Sequence, residues 1–458
     1  MEIRDWRLLL LPEDGDSVVL SREKARELLE RLERLEKEKA ELLQKFEAYR
    51  KRHPETVGVK FGKAYVLKTP TEPRPSGGKP GARPGHLPHL RPRPDHIDRR
   101  VHLLLTNCPE CGNGRLSRVQ ETRARVVEDL PAPRTEVTEY TVERRYCRTC
   151  RKLVEPPVPG VLPHAQLGLR LMHAIVQLKV RHRVTVEQIP PLIQSLYGVS
   201  VSEGEVHSVL EQMAEAYGPV YERFREAMRE APAKYFDETP WWVSGQMAYL
   251  WVGATPTEAV YHVGPTRAHT EALELLGPTP KGILVHDRFS AYETVGTKTG
   301  LKHQACWFHL LGDSKELEEF LGEEGAQIHG VLKTIYRAAR GVAGRGTETH
   351  VRQLWEALEG GLSNRQGSSV HGHRFVQGIL ALRERLFEFV RDPTVEGTNN
   401  RAERALRPAV VARKISGGSR SWRGARVFAV LATVVQTLQL RSQDLIRDGP
   451  GYLVAARG

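Results

Sequence analysis

Apolar positions change period several times along the 458 residues, and each change marks an element. Ala25, Leu28, Leu32, Leu35, Leu42, Phe46 and Tyr49 alternate at spacings of three and four, with Lys39 filling the one gap. This narrow a/d seam with charged flanks predicts a coiled coil over residues 17–52 and self-association through it. An amphipathic helix packed on its own domain is the alternative. The pattern then breaks: eight prolines fall between Pro70 and Pro94, with glycines and arginines among them. Proline fixes φ and removes a donor, so residues 53–101 read as an extended basic linker or arm.

Residues 164–230 return to helical spacing. Thr185 with Gln188 and Ser202 with Glu205 both fit S/T-x-x-E/Q capping boxes, and Gly198 marks a turn between them. Two short helices around a glycine turn resemble a helix-turn-helix DNA-binding region, with a helical hairpin that binds nothing as the alternative. From residue 233 the period falls to two. "AKYFD", "QMAYLWVGA", "EAVYHVG", "GILVHD" and "KHQAC" read as strands, with a helix over 268–276 between the third and fourth. Three antiparallel strands, a helix, then strand, helix, strand is the order of an RNase H-like domain. Residues 231–312 form its first part. Residues 313–395 turn helical and charged, as an insertion, and 396–446 close the domain with a further helix. The fold class expected is multidomain α/β: an RNase H-like mixed sheet with a helical insertion, preceded by a coiled coil, a zinc-ribbon-like module over 102–158 and the helical region.

Charge narrows the partner. The formal net charge is +12, which favours a polyanion, nucleic acid before an anionic membrane surface. "RLLLLP" is too short to span a bilayer, and no signal-peptide pattern is present, so a cytoplasmic location is expected. Four of the five cysteines form two knuckles, Cys108-Pro-Glu-Cys111 and Cys147-Arg-Thr-Cys150. Four thiolates suit a tetrahedral, structural Zn²⁺ with no open position. Between the knuckles, Tyr140, Val142 and Tyr146 alternate on one face of a β-like stretch.

Three acids carry the candidate chemistry. Asp237 ends the strand "KYFD", Asp287 ends "GILVHD", and Glu403 sits among arginines in "VEGTNNRAERALRP". Carboxylates at strand ends line the crevice where ligands bind in α/β sheets, and hard ions such as Mg²⁺ choose carboxylate oxygens. Two such ions can activate an attacking oxygen and stabilise a leaving one. Each acid also has a plainer role open to it. Asp237 can cap the turn into "ETPWW", Asp287 can cap the helix at "RFSAY", Glu403 can pair with Arg407 at i,i+4, and Glu238 and Glu396 are rival ligands. Trp355 is read as core before it is read as a base-stacking residue.

"YFDETPWWVSGQMAYLWV", "ILVHDRFSAY", "CWFH" and "TNNRAERALRP" together resemble transposases of the insertion sequence 66 family. "GGKPGARPGH", the knuckles and the leucine-rich N-terminus follow the same order. The resemblance implies a DDE transposase with Asp237, Asp287 and Glu403 as its triad on Mg²⁺ or Mn²⁺. Water would free a 3′-OH at the element end, and that 3′-OH would attack target DNA. Cys306 and His309 match the family's C-x-x-H signature. One Cys and one His make an incomplete metal site, so the reading is local: His309 orients a carboxylate or touches DNA. Asn399 and Asn400 would orient Glu403 or the DNA. Arg401, Arg404, Arg407, Arg413 and Lys414 would hold phosphates. The implied partners are terminal inverted repeats, target DNA, a second copy through the coiled coil and element-encoded accessory proteins, with no membrane. Ala82-Arg83 stands where the family often has Gly-Gln, and Gly312 where a basic residue is frequent. The alternatives are a catalytically silent DNA-binding regulator and an RNase H-like nuclease.

Overall fold

The computed structural model describes residues 94–130, 135–163, 165–363 and 369–455, with five positions nearer the N-terminus. Those five, Glu30, Arg31, Arg34, Lys37 and Glu41, are helical and exposed. The rest of the expected coiled coil and residues 53–93 of the linker lie outside the described residues.

The cysteine-bearing module has little regular structure. β1 (Arg145–Cys147) pairs antiparallel with β2 (Lys152–Val154), and Arg151 at φ 55° makes the turn between them. The expected strand through Tyr140 and Val142 is absent, because those residues find no partner strand; only Tyr146 of that face is in a ladder.

Four helices follow: α1 (Leu169–Val176), extended by a π-helical turn over Gln177–Arg181, then α2 (Ile189–Tyr197), α3 (Glu203–Ala216) and α4 (Gly218–Glu230). The capping box at Ser202 forms, with Glu205 N–H donating to the Ser202 hydroxyl and the Glu205 carboxylate accepting from Ser202 N–H. The one expected at Thr185 does not. α2 starts later, at Ile189, because Pro190 and Pro191 are tolerated only in a helix's first turn. Gly198 ends α2 in the left-handed region, as its position predicts. α3 carries Glu203, Glu205, Glu211 and Glu215 and no lysine or arginine. The charge of α3 itself opposes phosphate.

The core is a five-stranded mixed sheet in the order β5-β4-β3-β6-β7. β3 (Ala233–Val243), β4 (Gln246–Ala254) and β5 (Ala259–Gly264) form an antiparallel meander; β6 (Ile283–His286) and β7 (Lys302–Ala305) run parallel to β3. α5 (His269–Leu276) links β5 to β6, and α6 (Ser290–Thr299) links β6 to β7. β3 does not stop at Asp237. It runs on through Val243 because Ser244 and Gly245, both at positive φ, turn a tight hairpin that keeps β4 paired along the whole length.

The insertion is helical as expected. It contains α7 (Trp307–Leu321), α8 (Glu323–Gly341), α9 (Glu348–Ser363), α10 (Val370–Leu380) and the single turn α11 (Glu388–Arg391). Its return is anchored on the sheet. Trp307 stacks on Tyr336 and donates to Leu386 O at 2.7 Å, while Gln304 accepts from Phe389 N–H at 3.1 Å. Trp355 is 6% exposed inside the insertion's core, so the packing role holds for it.

α12 (Asn400–Ser416) then lies against β3 and β4, and α13 (Trp422–Leu440) against β5. Thr433 and Thr437 accept the N–H groups of Tyr261 and Ala259, which covers an otherwise open sheet edge. α14 (Leu445–Ala455) closes the chain on α1. Among the described residues no helix is long and apolar enough to cross a membrane.

Gly418 fixes where α12 leaves β3. Its φ is 112°, and a Cβ there would sit 2.3 Å from the Trp242 carbonyl oxygen. Gly418→Ala is therefore expected to lower stability by about 2 kcal/mol or more, read as a fall in the chemical-denaturation midpoint.

Candidate active site

Sheet register brings the two aspartates together. Ala233 pairs with Ile283, Lys234 with Leu284 and Tyr235 with Val285. The same register carried two residues further sets Asp237 beside Asp287. β6 stops just before that level, and Arg288, at φ 73°, turns the chain away. A crevice opens where β3 loses its parallel neighbour, with both carboxyl groups half-buried at its edge. Arg288 N–H donates to His286 Nδ1 at 3.0 Å, and Arg288 also pairs with Asp313. Asp287 accepts Phe289 N–H at 3.0 Å in the turn before α6, whose N-cap is Phe289 with no side-chain cap, so Asp287 does not cap the helix. That bond uses one oxygen and leaves the other available.

Glu403 reaches the same place from α12. Asn399 sits at the helix start, yet its side chain does not cap the helix. Its amide donates instead to Phe236 O at 2.8 Å, one residue before Asp237, and its own N–H donates to Cys306 Sγ at 3.1 Å. One helical turn on, Glu403 N–H bonds back to Asn399 O. The buried Asn399 thus ties the glutamate's turn to the middle of β3. Asn400, half-buried, is the first residue of the helix proper.

Asp237 responds to this gathering. Desolvation first, then the charges of Glu238, Asp287 and Glu403, push its carboxyl well above the ordinary range, against one hydrogen bond from Glu238 N–H. Carboxylates assembled this way are relieved by a cation, so the donor set suits a hard divalent ion. The rival acids are engaged elsewhere. Glu238 is buried against Arg267 at 2.5 Å and accepts the Tyr292 hydroxyl at 2.5 Å; Arg267 in turn lies 3.8 Å over the Phe289 ring. Glu396 pairs with Arg401 at 2.6 Å. The three acids of the triad are nevertheless not packed into mutual ligand distance. Among the described residues the one group of metal-binding side chains within 4.8 Å of each other is Cys306, His309 and Glu403. His309 Nε2 stands 3.6 Å from the Glu403 carboxylate.

Several contributors had no sequence signal. His286 and His303, both buried, share a hydrogen bond of 2.8 Å beneath the crevice. Burial holds His286 well below the usual imidazole range and His303 down to about 4, so the pair is neutral and braces the Asp287 turn. Tyr292 was likewise silent, its partner Glu238 being far away in sequence.

The basic residues divide. Arg401 is committed to Glu396 and lies over Tyr235; Arg413 bonds Thr239 Oγ1 at 2.9 Å and Pro240 O, which makes it a tether between α12 and β3. Arg404, Arg407 and Lys414 are exposed on α12.

In the N-terminal module the knuckles form separately. Cys150 N–H donates to Cys147 Sγ at 3.4 Å, and hydrogen bonds from the Cys111 and Glu110 backbone, and from the Cys111 side chain, lower the Cys108 thiol. The corresponding bonds lower Cys147. This donor chemistry fits zinc, although the four sulfurs are not gathered to one point among the described residues.

A mixed sheet with acids at its crevice, an acid-bearing helix pinned across it and a separate thiol module define the class: a mixed α/β protein with a cysteine-knuckle module. Comparison with known proteins gives the family. Residues 164–427, more than half of the chain, match the transposase IS66 family, and residues 106–151 match the zinc-finger binding domain of transposase IS66. The chain belongs to the IS66 family of transposases. Three relatives from Sinorhizobium fredii (strain NBRC 101917 / NGR234) carry only the description of uncharacterized proteins. One, y4jD, is 24% identical over 79% of this chain and 76% of its own; a second, y4hP, is 23% identical over 78% and 72%. The third, y4qI, is 27% identical over 48% and 47%.

Proposed function

We propose that this transposase cuts and joins DNA by two-metal phosphoryl transfer, with Asp237, Asp287 and Glu403 holding Mg²⁺ or Mn²⁺. The observation that carries the reading is the parallel register of β3 with β6, which carried onward puts Asp237 of β3 level with Asp287 just past the end of β6, with Glu403 one helical turn from Asn399, itself bonded to Phe236 O. The strand order, an antiparallel meander followed by two parallel strands, supports an RNase H-like core. Bound metal would supply a nucleophile at neutral pH and a clamp on the leaving oxygen. The chain's own contribution is positional. Asn399 sets the helix, His286 and His303 support the Asp287 turn, and Arg267 neutralises Glu238 so that it does not compete. The exposed Arg404, Arg407 and Lys414 suit contacts to the DNA backbone, since guanidinium and ammonium groups bind phosphate in a sequence-independent way. The four knuckle cysteines suit one structural Zn²⁺ in the zinc-finger domain.

The test is a joining assay with purified full-length protein, a fragment carrying the element's own ends, supercoiled target DNA and Mg²⁺ or Mn²⁺. The expected products are fragments covalently joined to target, absent when metal is chelated. Cut but unjoined ends would favour the nuclease reading. Binding without any cutting would favour the regulator.

A further inference from the structure

Cys306 and His309 are built like a third metal knuckle. In the two zinc-finger knuckles, the first cysteine's sulfur accepts backbone N–H groups from the residues two and three places on: Glu110 and Cys111 for Cys108, Thr149 and Cys150 for Cys147. Cys306 repeats the arrangement. Its sulfur accepts from the backbone of Phe308 and His309, and from Asn399 N–H at 3.1 Å besides. A neutral thiol is a weak acceptor. Burial pushes the Cys306 thiol up, unlike the two knuckle thiols, while the three hydrogen bonds act the other way and favour the thiolate a metal would bind; outer hydrogen bonds of this kind orient and hold metal ligands.

The sequence pattern supplied only two ligands, and the fold supplies the third. Cys306 Sγ, a His309 ring nitrogen and a Glu403 oxygen all lie within 4.8 Å of one another. Cys306 is fully buried, whereas His309 and Glu403 have side chains 29% and 36% exposed, so an ion can enter from their side. Sulfur, imidazole and carboxylate with one position open is a zinc-type donor set, poorly suited to Mg²⁺.

We propose that Cys306, His309 and Glu403 form a second metal site, for a thiophilic divalent ion of the Zn²⁺ class, and that an ion there withholds Glu403 from the Mg²⁺ or Mn²⁺ pair and stops the reaction. The site itself follows from the geometry; the inhibition rests on the role proposed above for Glu403. Binding converts the Cys306 thiol to a metal-bound thiolate and releases its proton to solvent. At equal concentrations Zn²⁺ outcompetes Mg²⁺ for such donors.

The test titrates Co²⁺ into full-length protein whose zinc-finger domain is already loaded with Zn²⁺, and follows the thiolate-to-cobalt charge-transfer band. Wild type should take up one further Co²⁺ per chain with that band. Cys306→Ser should lack it, and His309→Gln should bind at least about tenfold more weakly while keeping the wild-type circular dichroism spectrum. Equal bands in wild type and both variants would overturn the site. In the Mg²⁺-supported joining reaction, Zn²⁺ should inhibit over the range that displaces the Co²⁺ band. Joining that persists with the site filled would overturn the inhibition. A protein that shows the band but never joins DNA would count against the transposition chemistry and leave the metal site standing.

Discussion

Asp237→Asn is expected to abolish DNA joining and, at the same time, to make the chelator-treated protein harder to unfold. The first effect would be loss of a carboxylate from the proposed metal pair, several kcal/mol of transition-state stabilisation and on the order of 10³-fold or more in rate. The second follows from the direction of the Asp237 shift. Desolvation and three neighbouring carboxylates raise its folded pKa above the unfolded value. Between those two values the folded state binds more protons than the unfolded state, so stability falls as pH rises through the window. Below the unfolded value of about 3.9 the group is neutral in both states and contributes nothing. Asparagine cannot ionise. The melting-temperature advantage of the variant over wild type should therefore be absent at pH 3 to 4, grow as pH rises, and level off above the folded pKa. The buried His286–His303 pair has the opposite dependence, but it is common to both proteins and cancels in the difference. Mn²⁺ should raise the wild-type melting temperature at pH 8 and leave the variant nearly unmoved. A variant that melts below wild type at pH 8 without metal would show that Asp237 is not held under repulsion.

Asn399→Ala is expected to give the second largest effect, through position rather than chemistry. The substitution removes the bond to Phe236 O across the α12–β3 seam and leaves a buried carbonyl short of a donor. Stability should fall by about 1–3 kcal/mol. Joining should fall further, about 10²-fold, because Glu403 is one turn along the freed helix end and small displacements of a reacting group are expensive. The signature that separates positioning from simple instability is metal dependence: the Mn²⁺ concentration for half-maximal joining should rise at a temperature where the variant is fully folded. An unchanged metal requirement, with rate loss tracking unfolding alone, would assign Asn399 a structural role only.

Much of the fold was legible because it is periodic. The five strands announced themselves as short runs of β-branched and aromatic residues, and the insertion through its change to a helical, charged pattern. Ser202 with Glu205 was readable because a capping box lies within four residues. Thr185 with Gln188 misled for the same reason, a local pattern overruled by the two prolines that follow. β3 was read too short, because its second half is sustained by hairpin pairing with β4 rather than by its own alternation. Asp287 was legible just past a strand and Glu403 on a helix, whereas Asp237, read as a strand end, lies within β3. What was not legible is what makes them a site. The Glu238–Tyr292 and Asn399–Phe236 bonds join residues 54 and 163 positions apart, and such contacts leave no spacing in the sequence. Arg401 and Arg413 look like phosphate contacts in a basic run, yet the fold ties one to Glu396 and the other to β3. The Cys306–His309 pair looked incomplete because Glu403, the third group within 4.8 Å of it, lies on a distant helix.

Glu403 distinguishes a metal-dependent transposase site from a plain helix ion pair, which would be worth only about 0.2–0.5 kcal/mol. The most direct measurement is the joining assay run with wild type beside Glu403→Gln, in Mg²⁺ and in Mn²⁺, on the same element ends and target. Metal-dependent joining by wild type is expected, and its loss in the variant by on the order of 10³-fold with DNA binding intact. Joining at the wild-type rate by Glu403→Gln would contradict the metal-holding role of Glu403.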